Sequence, residues 1–323
     1  MNKNIWMDGI IGVVVGDALG SPAQFKRREV FWEKPITKME YCDAFDTPPG
    51  SWTDDSSLTL ATLDSLIGPN GYDLYDIADK YVAWLKRGEY TPFGYPYDIG
   101  GGCRIGIEVY KRTRDPYTSG GDDQMNNGNG SLMRSMPICL YAYVMEKNGK
   151  WTIDECIKAV QDVSGITHRH IRAKMACGLY FFMVKHLVND RENKPLITCL
   201  QEGIDEGLKY YGNDISNLTE MAYFGRLFNL TELADTDVRQ IKSSGYVIDT
   251  IEASVWSLIT TYSYKECELK AVNLGEDADT VGAIAGGLAG LYYGYENIPD
   301  EWVSQIQRIE WIKELCDRAK DIS

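Results

Sequence analysis

Two apolar stretches of this chain carry a glycine at every fourth position: Gly12, Gly16 and Gly20 near one end, Gly286, Gly290 and Gly294 near the other. No other feature constrains the fold as much. On a helix, residues four apart share a face. A glycine in a helix interior also costs up to about 1 kcal/mol relative to alanine. A stripe of them therefore needs a reason, and close approach of two helix backbones supplies one. The surrounding pattern is helical as well. Val281, Ile284, Ala285, Leu288, Leu291 and Tyr292 recur at steps of three and four, which defines one buried helix face. Leu58, Ala61, Leu63 and Leu66 predict a second helix. Ile157, Val160, Gln161 and Val163 predict a third, and Ile171 to Leu187 reads as a long buried one. Alternating β-branched runs are scarce, so the expected fold class is all-α. Polar loops are expected at 31–51, 90–102 and 117–130, and long loops in a compact domain are often functional. No repeat or linker divides the 323 residues, so a compact single-domain helical bundle over residues 1–323 is expected.

The formal net charge is −14. Such a surface repels nucleic-acid phosphates and anionic lipid, so neither nucleic acid nor membrane is expected as a partner. The eight cysteines form no CxxC pair, which argues against structural zinc and for reduced thiols in a cytoplasmic protein. Residues Met1 to Asp8 lack the charged and small-residue features of a signal peptide. The longest apolar-looking stretch, Val281 to Gly294, falls short of the roughly 20 residues that span a bilayer. With no coiled-coil pattern or long edge strand, a monomer is expected.

Two acidic clusters carry the chemistry. Thr53-Asp54-Asp55 and Asp277-Ala278-Asp279-Thr280 each stand just before a helix-like run. Taken singly, each is most simply a helix cap, because Asp and Thr there accept orphan backbone N–H bonds and complement the macrodipole. One oxygen suffices for a cap, however, and each cluster offers two carboxylates and a hydroxyl. Hard cations such as Mg²⁺ seek oxygen donors of that kind. An EF-hand fails on spacing, since its fifth and twelfth loop positions would be Val281 and Leu288. Spacing alone does not bring together residues more than two hundred positions apart.

The remaining candidates have bland alternatives. The run from Gly128 to Arg134 is a turn or a phosphate cradle; it lacks the Gly-Lys-Ser/Thr of a P-loop and the GxSxG of a nucleophile elbow. HExxH is absent among the three histidines. His186 reads as structural, and His168 stands near a helix start. Asp98, in a glycine-rich loop, is a surface turn residue or a general base. Tyr246 packs on the core or stacks on a base. Lys26-Arg27-Arg28 reads as a solvated patch.

In their order along the chain, these motifs resemble the ADP-ribosylglycohydrolase family, in particular its bacterial branch related to the dinitrogenase-reductase-activating glycohydrolase. The resemblance runs through Gly16-Asp17-Ala18-Leu19-Gly20, Trp52-Thr53-Asp54-Asp55-Ser56, Asp98-Ile99-Gly100, Gly128-Asn129-Gly130-Ser131-Leu132-Met133-Arg134, Thr167-His168, Gly245 to Ala253 and Asn273 to Gly282. It implies two Mg²⁺ or Mn²⁺ ions in a cleft, held by Thr53, Asp54, Asp55, Asp277, Asp279 and Thr280. It implies catalysis by Asp54, Asp55 or Asp98. It further implies that Asn127, Gly128, Asn129, Gly130, Ser131, His168 and, more weakly, Tyr246 surround the ADP-ribose. The activity implied is hydrolysis of the glycosidic bond between ADP-ribose and an acceptor, most directly ADP-ribosyl-arginine on a protein. A small ADP-ribose conjugate as substrate, a non-catalytic ADP-ribose-binding protein and a Mg²⁺-dependent phosphohydrolase are the alternatives. One departure stands out: many relatives carry glutamate where this chain has Gln24, and in the branch acting on serine-linked ADP-ribose a glutamate from this segment matters for catalysis. Gln24 offers no carboxylate, which disfavours the serine linkage.

Overall fold

The computed structural model describes residues 4–322. The expectation that the first eight residues hold no leader therefore falls partly outside the described residues. Among those residues, sixteen α-helices form and no β-strand does; three isolated bridges join loops. One continuous apolar cluster runs through the molecule, as an all-α single domain requires.

The centre of the fold is an antiparallel pair, the helices Ile5–Gly20 and Ala278–Tyr293. A Cβ on Gly12 would lie 2.2 Å from the carbonyl oxygen of Gly286, one on Gly16 2.2 Å from that of Gly282, and one on Gly290 2.2 Å from that of Asp8. The register ends with Gly20 against Ala278, where a Cβ would come within 2.5 Å of the Ala278 carbonyl. The backbones thus pack against each other directly. Gly282, not Gly294, completes the second stripe. Gly294 lies beyond the helix at φ +89°, where an L side chain would be strained.

The expected helices appear at Asp54–Leu66, Ile153–Gly165 and Ile171–Asp190. The loops are shorter than expected. Phe31 lies in the short helix Glu29–Glu33, and Gly101 and Gly102 form the first turn of the helix Gly101–Thr113. The stretch Ile5–Ala23 is long and apolar enough to cross a membrane by length and composition, so Val281–Gly294 is not the longest such segment. Asp8 and Asp17 interrupt its apolar pattern in the sequence. In the fold 89% of it is buried, as befits a core helix. All eight cysteines are free and buried.

Candidate functional site

The glycine register decides where the two acidic clusters meet. Gly20 packs on Ala278 and Asp279, so the last turn of the first helix lies beside the first turn of the Ala278–Tyr293 helix. Asp17, on that last turn, is fully buried. Its two oxygens accept hydrogen bonds from the Thr53 amide at 3.0 and 3.1 Å, and one of them also accepts from the Ser56 amide at 3.0 Å and the Ser56 hydroxyl at 2.5 Å. Asp17 therefore anchors the N-terminus of the helix Asp54–Leu66 to the central pair. Thr53 does act as a cap, its Oγ1 accepting from the Asp55 amide at 3.4 Å. Asp277 stands at the cap position of its own helix but makes no capping bond. It accepts instead from Nδ2 of Asn129.

Across the seam, Oγ1 of Thr280 donates to Oδ1 of Asp55 at 3.5 Å, linking clusters that lie 225 positions apart. Asp54 accepts from the Gly100 amide at 3.2 Å, which brings in the loop that carries Asp98. Asp54, Asp55, Asp98, Asp277 and Thr280 line one cavity together with Gln24, Phe25, Gly100 to Cys103, Gly128 to Gly130, Met133, His168 and Gly245. Asp279 is buried and does not line the cavity, though the charges of Asp55, Asp98 and Asp277 act on it.

The electrostatics are those of crowded, desolvated carboxylates. Burial raises the Asp54, Asp55 and Asp279 pKa values well above the ordinary range, with neighbouring charges adding to the rise: Asp98 on Asp54, Asp17 on Asp55, Asp55 on Asp279. Burial lifts Asp98 to about 6, opposed by contacts with Gln24 and Asp279. Burial also lifts Asp17 to about 7, against its bonds from Ser56 and Thr53. Four carboxylate oxygens, Oδ2 of Asp55, Oδ2 of Asp98 and both of Asp279, are buried with no hydrogen-bond donor. Buried polar atoms are nearly always satisfied, so an orphaned set of anionic oxygens in one place fits a cation.

The glycine loop adjoins the acidic cluster through Asn129 and lines the same cavity. The Asn129 amide donates to the Gly245 carbonyl at 3.0 Å and the Val247 amide to the Asn127 carbonyl at 3.0 Å, which straps 127–129 to 245–247. Asn129 Nδ2 also reaches Thr250 Oγ1 at 2.9 Å. His168 packs on three glycines: Cβ atoms at 102, 128 and 130 would lie 2.8, 3.3 and 2.9 Å from its ring. Burial, then the charge of Arg134, pushes its pKa down to about 3, so the ring is neutral. Thr167 Oγ1 accepts from Arg134 Nη2 at 2.8 Å and lies 2.8 Å from His168 Nδ1. Nδ1 is thereby paired with the Thr167 hydroxyl, which leaves Nε2 as the ring nitrogen beside the glycines.

Residues 6–323 match the family model described as ADP-ribosylglycohydrolase. The chain belongs to the ADP-ribosylglycohydrolase family. It is accordingly a glycosidase-type hydrolase. It is 28% identical, over 96% of its length and 77% of the relative's, to an ADP-ribosylarginine hydrolase Tri1 of Serratia proteamaculans. To the ADP-ribosyl-[dinitrogen reductase] glycohydrolase of Rhodospirillum rubrum it is 30% identical, over 93% of this chain and 89% of that one. A solved structure described as an ADP-ribosylglycohydrolase-related protein complex superposes with a TM-score of 0.76 at 27% identity, covering 99% of this chain and 98% of the other.

Within this ADP-ribosylglycohydrolase, the expected residues divide into two sets. Asp54, Asp55, Asp98, Asp277, Thr280, Gly128, Asn129, Gly130 and His168 face one cavity. Thr53, Asp279, Asn127, Ser131 and Tyr246 do not line it. Ser131 turns inward, its hydroxyl accepting from Ser164 at 2.9 Å and lying 3.6 Å from Cys177. Tyr246 is held by Arg172, whose Nη1 donates to its hydroxyl at 2.9 Å. Asp17 and Cys103 were not anticipated. For Asp17 a signal existed, an acid in an apolar glycine-striped helix, where only a buried partner makes sense. His186, Asp190 and Glu202 form a separate group whose ligand atoms lie within 4.8 Å of one another. There Lys194 bonds Asp190 at 3.2 Å and Glu202 at 2.6 Å, so an ammonium already supplies the positive charge.

Proposed function

We propose that this protein hydrolyses the glycosidic bond between ADP-ribose and an arginine side chain of a modified protein, with two Mg²⁺ or Mn²⁺ ions as cofactors. The observation that carries this reading is the meeting of two acidic clusters from opposite ends of the chain, with four buried carboxylate oxygens left without donors. Thr53, Asp54, Asp55, Asp277, Asp279 and Thr280 would hold the ions. When bound, two such cations supply Lewis acidity, lowering the pKa of a water and holding hydroxyl oxygens.

The chain's own groups account for the rest. Asp98, lifted to about 6, exchanges protons near neutral pH, where a general acid or base is most effective. It takes a proton from the attacking water as the guanidine departs with the electron pair of the broken C–N bond, and it returns that proton to the leaving group, which ends as guanidinium. Asp54 is the alternative proton carrier, with its Oδ2 held by Gly100. Positive charge develops at the anomeric carbon as the bond breaks, and the surrounding carboxylates stabilise it. Beside the carboxylates, the glycine loop 128–130 lets backbone approach the diphosphate, and the neutral His168 ring offers Nε2 for hydrogen bonding. The relatives named for arginine-linked substrates support the linkage, as does Gln24, which gives that part of the cavity an amide in place of a carboxylate.

The test is release of ADP-ribose from ADP-ribosyl-arginine. Turnover is expected with Mg²⁺ or Mn²⁺ and is expected to disappear on chelation. Asp98→Asn should lower kcat by roughly 10²–10⁴-fold, the usual contribution of a general acid or base. Inorganic phosphate as the product, or turnover only on small conjugates other than ADP-ribosyl-arginine, would contradict the proposal.

A further inference from the structure

Five aromatic rings lead outward from the cavity. Phe25 lies 6.1 Å from Phe45, Phe45 5.4 Å from Tyr97, and Tyr97 6.5 Å from Phe93 and 6.2 Å from Tyr95, all between ring centroids. Phe93 and Tyr95 stack at 6.1 Å. The path begins at the catalytic carboxylates: Phe25 adjoins Gln24 and Asp98 adjoins Tyr97, and Phe25 and Asp98 both line the cavity. Both also sit in the left-handed region, at φ 62° and 50°. Strain of that kind persists only where the surroundings hold it. The Phe25 amide is fixed to the Glu276 carbonyl at 2.7 Å. The loop beyond is fixed too: Tyr97 donates its hydroxyl proton to the Trp52 carbonyl, Arg308 Nη1 donates to the Thr91 carbonyl at 2.8 Å, and the Gly94 amide donates to Thr91 Oγ1 at 2.9 Å. Yet Phe25, Phe93 and Tyr95 are 67%, 36% and 53% exposed. A contiguous, rigid, exposed aromatic patch marks an interaction surface.

We infer that this aromatic path is the docking surface for the polypeptide that carries the modified arginine, in particular for basic side chains flanking it. The inference rests on the arginine reading above. Charge complementarity selects the occupant. At the outer end of the path, the segment 41–47 holds Asp43 and Asp46 beside Phe45 and no cation, and the segment 88–100 holds Asp98 and Glu89, the latter paired with Arg87. At the inner end Lys26, Arg27 and Arg28 follow Phe25, with Arg27 and Arg28 lining a separate pocket. Ring faces bordered by carboxylates attract guanidinium and ammonium groups. Continuity with the cavity fixes the direction. The cavity encloses about 270 Å³, below the roughly 300 Å³ where drug-sized ligand pockets begin. A modified protein therefore continues past the rim, and on the Asp98 side the surface it meets is this path.

The experiment compares two substrates, free ADP-ribosyl-arginine and a synthetic peptide carrying one ADP-ribosyl-arginine flanked by arginines. The variants are Phe93→Ser combined with Tyr95→Ser, and Tyr95→Lys. Both positions are exposed and outside the cavity, and an unchanged thermal midpoint verifies folding. The double variant is expected to raise KM for the peptide about tenfold while leaving KM and kcat for ADP-ribosyl-arginine within about twofold; Tyr95→Lys is expected to raise the peptide KM as well, by charge repulsion. A peptide KM within about twofold of wild type, or an equal change on both substrates, overturns the docking surface while leaving the arginine reading intact. Absence of turnover by the wild-type protein on both substrates overturns the arginine reading and this inference with it.

Discussion

Asp17 shows how one residue shapes the site without facing it. It accepts four hydrogen bonds from the Thr53 and Ser56 groups while wholly buried. Asp17→Ala leaves those donors unsatisfied, and each buried unsatisfied group costs about 1–3 kcal/mol. We expect a loss on the order of 3 kcal/mol in urea unfolding; a loss under about 1 kcal/mol would mean water or a neighbour takes its place. The crowded carboxylates set a pH dependence. Asp54, Asp55 and Asp279 have folded pKa values raised above the ordinary aspartate value of 3.8. The metal-free protein therefore holds their full stability contribution below that value and loses it as pH rises through the raised values. A bound cation offsets the repulsion most where the carboxylates are most ionised. The increase in thermal midpoint on adding Mg²⁺ should therefore be larger at pH 8 than at pH 5.5, and an equal or reversed difference would contradict this. His168 works in the opposite sense. With its pKa lowered from 6.5 to about 3, its contribution is complete above 6.5 and is lost as pH falls toward 3, at no more than about 1.4 kcal/mol per pH unit.

At the scale of elements, the central helix pair sets the distance between the two clusters. Gly16→Ala would place a methyl 2.2 Å from a backbone oxygen of Gly282, and neither backbone can yield without separating the helices. Overpacking of this kind costs about 1–3 kcal/mol. Because the Ala278–Tyr293 helix would shift relative to Asp55, the Mg²⁺-induced rise in thermal midpoint should shrink as well. Gly225, where an added Cβ meets nothing within 4 Å, is the control, with Gly225→Ala expected within about 0.5 kcal/mol of wild type. Equal effects at the two glycines would remove the helix pair from the account. This pairing was half legible in the sequence. Four-residue glycine spacing announced close packing, but register needs the partner, and Gly294 kept the same spacing while lying outside the helix. Helices with apolar periodicity, such as Ile171–Asp190, were readable because burial of one face is written locally.

At the scale of the molecule, the sequence could not show that the clusters meet. Residues 55 and 280 come together only through the glycine register and the Asp17 anchor, and both are tertiary facts. Composition spoke to charge and cysteine state; the order of motifs spoke to family. Side-chain direction was illegible as well, which is why Ser131 stood among the candidates although its hydroxyl faces Ser164 and Cys177. The central claim is that the two chain ends build one two-cation site. Anomalous diffraction from crystals soaked in Mn²⁺ tests it most directly. The account predicts two peaks about 3.5–4 Å apart, bounded by Asp54, Asp55, Asp277 and Asp279. No peak there, or manganese only at His186, Asp190 and Glu202, would contradict it.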